Sequence, residues 1–353
     1  MTKIRKLLLS NVFFLILLAT AGCSERSAPP AEAPAEPPVG QLGSSVMPLH
    51  YQIELDIDPS KERFSGNVSI DVSIDQPADH IWLHGKNLNV TDVKLLQDGE
   101  TIAATYEEKL DSGVAEVSLE RSAAAGEATL TFSYDAPFNT SANALFKISR
   151  DGKSYAATQF QPTGARQVFP GFDEPGFKVP FDLTLITRTA DVVITTTPEA
   201  STTTLEDGRI AHRFETTRPL PTYLIAIAVG PYDLVDYGVL PATGVRTREL
   251  PLRALAAAGS GEKLEYALSN TDGLLSVLED YFGTPYPYKK LDLVAVPESF
   301  GGAMENVGAI MYDEYLLLLD DNASIDQRRA YTSVHAHELA HMWFGNLVTP
   351  RWW

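Results

Sequence analysis

From Tyr51 onward, apolar and polar residues alternate with a period of two. Tyr51, Ile53, Leu55 and Ile57 alternate with Gln52, Glu54 and Asp56. Val68, Ile70, Val72 and Ile74 alternate with Ser69, Asp71 and Ser73. Successive side chains of a strand point to opposite faces, so this spacing predicts half-buried β-strands. Residues 129–134 and 192–197 are further short runs of β-branched and aromatic residues. Asp98-Gly99, Asp151-Gly152 and Asp207-Gly208 punctuate the region as turns. Many short strands in succession predict a β-sandwich or saddle.

After about Pro251 the period lengthens. Leu264, Ala267, Leu268, Thr271, Leu275 and Leu278 recur at helical spacing. Ser260 is placed to N-cap this helix, and Gly283 with Pro285 to end it. A second helix is predicted from Ser324 to Phe344. Ser324 with Gln327 makes a capping box, and Gly345-Asn346 supplies the stop.

The N-terminus follows neither pattern. Lys3, Arg5 and Lys6 precede a mostly apolar run over residues 7–18, then Ala19-Thr20-Ala21-Gly22-Cys23. The run is short for a membrane span and has the flanks of a secretory signal. Small residues before a cysteine resemble the lipobox of bacterial lipoproteins, which implies lipidation of Cys23. Ser24 after it implies the outer membrane. Ala19-x-Ala21 also suits an ordinary signal-peptidase site and plain secretion. The Pro/Ala/Glu run that follows is an extended tether.

The chain has 353 residues, a length that suits two domains. Its 28 Lys and Arg against 46 Asp and Glu give a net charge of −18. That excludes nucleic acid as a partner, since phosphate binding requires clustered cations. The single cysteine, Cys23, rules out an intrachain disulfide.

The chemistry sits on the second helix, in His337-Glu338-Leu339-Ala340-His341. Four residues is just over one turn, so both imidazoles project from one face and reach one ion. Glu338 is rotated by about 100° from His337, beside the ion without ligating it. From there it takes a proton from a water that the ion polarises. Helical HExxH is the pattern of hydrolytic zinc enzymes.

The flanks carry more. His335-Ala336-His337-Glu338-Leu339-Ala340-His341-Met342-Trp343-Phe344-Gly345-Asn346 resembles the zinc helix of the aminopeptidase N family of zinc metallopeptidases. Gly302-Ala303-Met304-Glu305-Asn306 matches that family's GAMEN motif. The segments Pro285-Tyr286-Pro287-Tyr288, Pro162-Thr163-Gly164-Ala165-Arg166 with Phe169-Pro170-Gly171-Phe172-Asp173-Glu174-Pro175, and Thr222-Tyr223-Leu224-Ile225 are also similar. The resemblance runs over residues 47–353. It implies a multidomain chain, with an N-terminal all-β saddle or sandwich domain followed by a truncated thermolysin-like α/β catalytic domain. The divisions expected are 1–22 signal peptide, 23–45 tether, 46–250 β domain and 251–353 catalytic domain.

The resemblance also implies roles. His337 and His341 ligate one Zn2+ per chain, and Glu338 is the catalytic base. Glu305 binds the substrate's α-ammonium, and Gln161 joins it as an uncharged acceptor. The backbone of Gly302 and Ala303 lies along the peptide, Met304 lines the pocket for the first side chain, and Asn306 is a further substrate-binding residue. Trp343 and Phe344 are packing residues, and Asp173 and Glu174 structural ones. The third zinc ligand, a glutamate on the next helix, falls beyond Trp353, so the chain is expected to be an N-terminal fragment. The implied function is removal of N-terminal residues from peptides, with broad specificity, in a bacterial cell envelope. An epoxide-opening relative and a noncatalytic envelope lipoprotein are the alternatives.

Overall fold

The computed structural model describes residues 36–353. The signal peptide, Cys23 and most of the tether lie outside them. Residues 37–353 form one compact unit.

The strands run β1 (Val46–Asp56), β2 (Arg63–Ile74), β3 (Ala78–His84), β4 (Asn89–Gln97), β5 (Glu100–Glu108), β6 (Val114–Ala123) and β7 (Gly126–Pro137). There follow β8 (Ala144–Arg150), β9 (Lys153–Gln159), β10 (Phe181–Thr187), β11 (Val192–Thr195), β12 (Glu199–Thr204), β13 (Ile210–Phe214) and β14 (Ile227–Gly230). Ten of them form one sheet in the order β12-β13-β10-β1-β2-β7-β4-β5-β6-β3, and four form a second, β11-β14-β9-β8. This is the all-β region that the alternation predicts. Ile53, Leu55, Val68, Ile70 and Val72 are buried while their polar neighbours face outward.

β1 sits mid-sheet, antiparallel to β2 and parallel to β10, with Tyr51 opposite Phe181. The two rings stack at 4.7 Å. Two of the predicted turns are tight hairpins. Asp98 and Gly99 (φ +52° and +80°) join β4 to β5, and Asp151 and Gly152 (φ +50° and +72°) join β8 to β9. Positive φ at both central residues matches the right-handed twist of the strands.

The third sheet contains β15 (Tyr232–Leu240), β16 (Leu250–Ala257), β17 (Leu291–Val296), β18 (Ala303–Met304) and β19 (Ala309–Asp313), in the order β15-β16-β17-β19-β18. The helices are α1 (Glu265–Phe282), the single turn α2 (Glu314–Leu317) and α3 (Ile325–His341). β16, β17 and β19 are parallel. β17 is buried at every position, as a strand covered on both faces must be. The expected division after residue 250 falls inside this sheet. β15 pairs antiparallel with β16, so the break between sheets lies between Gly230 and Tyr232.

Two helix ends differ from the sequence reading. Ser260 makes no side-chain cap. Asp233 from β15 accepts from the backbone N–H groups of Gly259 and Gly261 instead (2.7 and 3.1 Å). α3 stops at His341 rather than Phe344, because the N–H groups of Met342 and Trp343 fold back in tighter i→i−3 bonds and Phe344 bridges Val348. Among the described residues no helix is long and apolar enough to cross a membrane.

Candidate active site

α3 is capped by Ser324 Oγ, which accepts from Gln327 N–H at 3.1 Å. The Gln327 side chain reaches the carbonyls of Tyr315 and Leu318 instead of Ser324, so half of the capping box forms. The buried face of α3 is Tyr331, His335, Glu338 and Leu339. His337 is exposed and His341 half-buried.

The i, i+4 spacing brings the Nε2 atoms of His337 and His341 to 3.0 Å, with the rings near perpendicular at 87°. Two nitrogens sharing one tetrahedral zinc at 2.0–2.1 Å stand about 3.3 Å apart, so a small rotation of either ring admits the ion. His341 Nδ1–H donates to the Phe344 carbonyl at 2.9 Å. That fixes the tautomer and leaves the Nε2 lone pair for a metal.

Glu338 is buried, and its Oε2 has no hydrogen-bond partner. Glu305 is buried beside it, and Glu305, Glu338 and His341 present ligand atoms within 4.8 Å of one another. Burial first, and the Glu305 charge second, push the Glu338 carboxyl up to about 8. A divalent cation at the histidines acts in the opposite direction. The two imidazole nitrogens suit one zinc ion, and the buried Glu338 and Glu305 carboxylates lie close beside His341.

The Gly302–Asn306 segment forms the other wall. β18 is the outermost strand of its sheet, pairing Ala303 with Tyr312 and Met304 with Met311. Gly302 has φ +133°, and a Cβ there would meet nothing within 4 Å, so the approach to this edge is open. Its carbonyl is held by Asp313 N–H at 2.7 Å. Met304 is fully buried.

Asn306 departs from the expected substrate contact. Its side chain is fully buried, and its amide donates to the carbonyls of Ile225 and Tyr223 (3.2 and 3.5 Å). It holds the segment against the β region. Asn346 Nδ2–H donates to the Glu305 carbonyl at 2.7 Å, tying the turn after α3 to the same segment.

Gln161 is exposed near the start of the loop after β9. Among the described residues no hydrogen bond joins it to Glu305. Asp173 is structural, paired with Arg166 at 2.9 Å and accepting from Thr222 at 2.5 Å. Glu174 accepts from Leu42 N–H. Trp343 packs on Phe282 and donates to the Thr284 carbonyl. Phe344 packs on the same Phe282 ring at 5.5 Å while remaining 63% exposed on its other side.

Sequence reasoning missed His335 and Tyr312. Both are fully buried, and Tyr312 OH lies 2.6 Å from His335 Nδ1. Burial pushes His335 down to about 3, so its ring is neutral. The spacing Tyr331, His335, Leu339 would have marked it as part of the inward stripe.

Residues 47–224 match the Peptidase M1 N-terminal domain, and residues 266–353 the Peptidase family M1 domain. Endoplasmic reticulum aminopeptidase 1 of Rattus norvegicus is 30% identical over 98% of this chain and 38% of its own length. Aminopeptidase M1-C of Oryza sativa subsp. japonica is 32% identical over 91% and 37%. Endoplasmic reticulum aminopeptidase 2 of Homo sapiens is 33% identical over 89% and 33%. The chain therefore spans little more than a third of the length of these relatives. It belongs to peptidase family M1.

Proposed function

We propose that this chain carries the metal-binding helix and the substrate-amine pocket of a zinc-dependent aminopeptidase with broad specificity for peptide N-termini. The observation that carries the reading is the convergence of Glu305 with Glu338 and His341. An exopeptidase needs a carboxylate for the free α-ammonium next to its hydrolytic centre, and the closeness of Glu305 to Glu338 and His341 supports that pairing. Its relatives are named aminopeptidases.

In this reading His337 and His341 hold the zinc with a third ligand from residues following Trp353, in keeping with the greater length of the relatives. When bound, the ion supplies Lewis acidity to the scissile carbonyl and to water. Glu338 takes the proton of the attacking water and returns it to the leaving amine. Glu305 holds the α-ammonium by charge-assisted hydrogen bonds, with Gln161 as a second acceptor. The β18 edge at Gly302 and Ala303 receives the peptide backbone as an added strand. Met304 lies beneath the first side chain.

The test is hydrolysis of an aminoacyl anilide and its N-acetyl form by the full-length protein. Only the free amine should be cleaved, and Glu305→Gln should raise KM for it. Equal cleavage of both forms would point to a general endopeptidase. Hydrolysis should cease with a chelator and return with zinc.

For location, the reading is an envelope protein anchored through Cys23, or secreted if the signal is cut at Ala21. Incorporation of labelled fatty acid that Cys23→Ser abolishes supports the anchor, and no incorporation in the unaltered protein supports secretion.

A further inference from the structure

His335 lies on the buried face of α3, and both nitrogens of its ring are engaged. Thr271 of α1 gives its hydroxyl hydrogen to the Ala267 carbonyl at 2.8 Å. Its oxygen therefore accepts from His335 Nε2–H at 3.0 Å. The proton on Nε2 leaves the Nδ1 lone pair to accept from Tyr312 OH at 2.6 Å. Tyr331 stacks on the ring at 5.2 Å and 23°, fixing its plane. His335, Thr271 and Tyr312 are all fully buried, so each bond is made in a medium that strengthens it.

Tyr312 is also the backbone partner of Ala303. One residue of β19 thus holds α3 with its side chain and the β18 edge with its main chain. Three residues on from His335 is Glu338, and two on from Ala303 is Glu305. We propose that the Tyr312–His335 hydrogen bond is a positioning tie that sets the separation between the Glu305 carboxylate and the Glu338 carboxylate. It places the bound amine at a fixed distance from the proton-transferring group. The inference rests on the aminopeptidase reading, in which those two groups hold opposite ends of one reacting unit.

The experiment uses the full-length protein, with zinc content measured for every variant. Tyr312→Phe keeps the ring but leaves His335 Nδ1 buried and unpaired, so it should lower both Tm and kcat/KM. The double variant Tyr312→Phe/His335→Leu removes both polar ends, and replacing both partners of a buried hydrogen bond by apolar groups costs little. It should therefore recover most of the Tm. With the tie gone, its kcat/KM for the free-amine substrate should stay roughly 10- to 100-fold low at full zinc content, the scale expected of small misplacement of reacting groups. Recovery of kcat/KM together with Tm would show a packing role alone and overturn the inference. Unaltered protein that cleaves no free-amine substrate would remove the aminopeptidase reading, and the inference with it.

Discussion

A carboxylate buried beside another carboxylate destabilises the fold that contains it, and Glu338 is in that position. Glu338→Gln keeps the shape and removes the charge. The expected result is a loss of about 10²–10⁴ in kcat, the usual range for a general base. Tm of the metal-free protein should be unchanged or higher in thermal unfolding. His84 gives a pH dependence. Burial first, and the Arg166 guanidinium second, hold its pKa down at about 3, against 6.5 in the unfolded chain. Below pH 6.5 the unfolded chain takes up the proton and the folded protein does not. The His84 contribution is therefore complete above pH 6.5 and is lost as pH falls towards 3. Urea titrations at pH 7, 5.5 and 4.5 should show the unaltered protein losing stability more steeply than His84→Gln. The approach of His337 to His341 was legible in the sequence because helical spacing is local. His84 was not, because its hydrogen bond is to Asp173, 89 residues away.

Among the elements, the end of α3 matters most. The sequence marks Gly345 as a stop but gives it no other duty. In the structure its φ is +126°, and a Cβ there would lie 2.9 Å from His341 Nδ1, the atom that donates to Phe344. Gly345→Ala should strain the backbone and displace the His341 ring, which the proposed function makes a zinc ligand. Loss of such supporting contacts weakens metal binding about 10- to 100-fold, which chelator competition would measure. An unchanged zinc affinity would show that the ring does not depend on this turn. The helix end was read three residues too long because the Met342 and Trp343 N–H groups bond in the tighter i→i−3 pattern, which composition does not distinguish from continued helix. Ser260 was misread for a different reason. Lys263 N–H donates to its main-chain carbonyl at 3.2 Å rather than to its hydroxyl, and Asp233, distant in sequence, holds the N–H groups of Gly259 and Gly261 on either side of it.

Across the described residues, the β region and the third sheet with α3 meet along a seam of hydrogen bonds to backbone carbonyls. Val307 N–H donates to the Leu224 carbonyl, Tyr223 OH to Gly345, and Lys178 Nζ to Asn346 and Leu347. Asn306 lies at its centre. Asn306→Ala leaves two buried carbonyls short of a donor and should cost about 1–3 kcal/mol, read by urea titration, with a raised KM because Glu305 is the adjacent residue. A loss of stability without a change in KM would separate the seam from the pocket. The all-β class was legible from alternation, but the sheet boundary was not, since no clear alternation marks β15 and only its pairing with β16 assigns it. The ten-stranded sheet has a further consequence, for synthesis. β1 is made first, yet one of its neighbours is β10, with Tyr51 opposite Phe181. At about 5–20 residues per second a ribosome needs on the order of ten seconds to bridge that gap. For that interval the newborn chain presents an unfilled strand edge in the middle of its future sheet, and an attendant that shields such edges would raise the yield of folded protein.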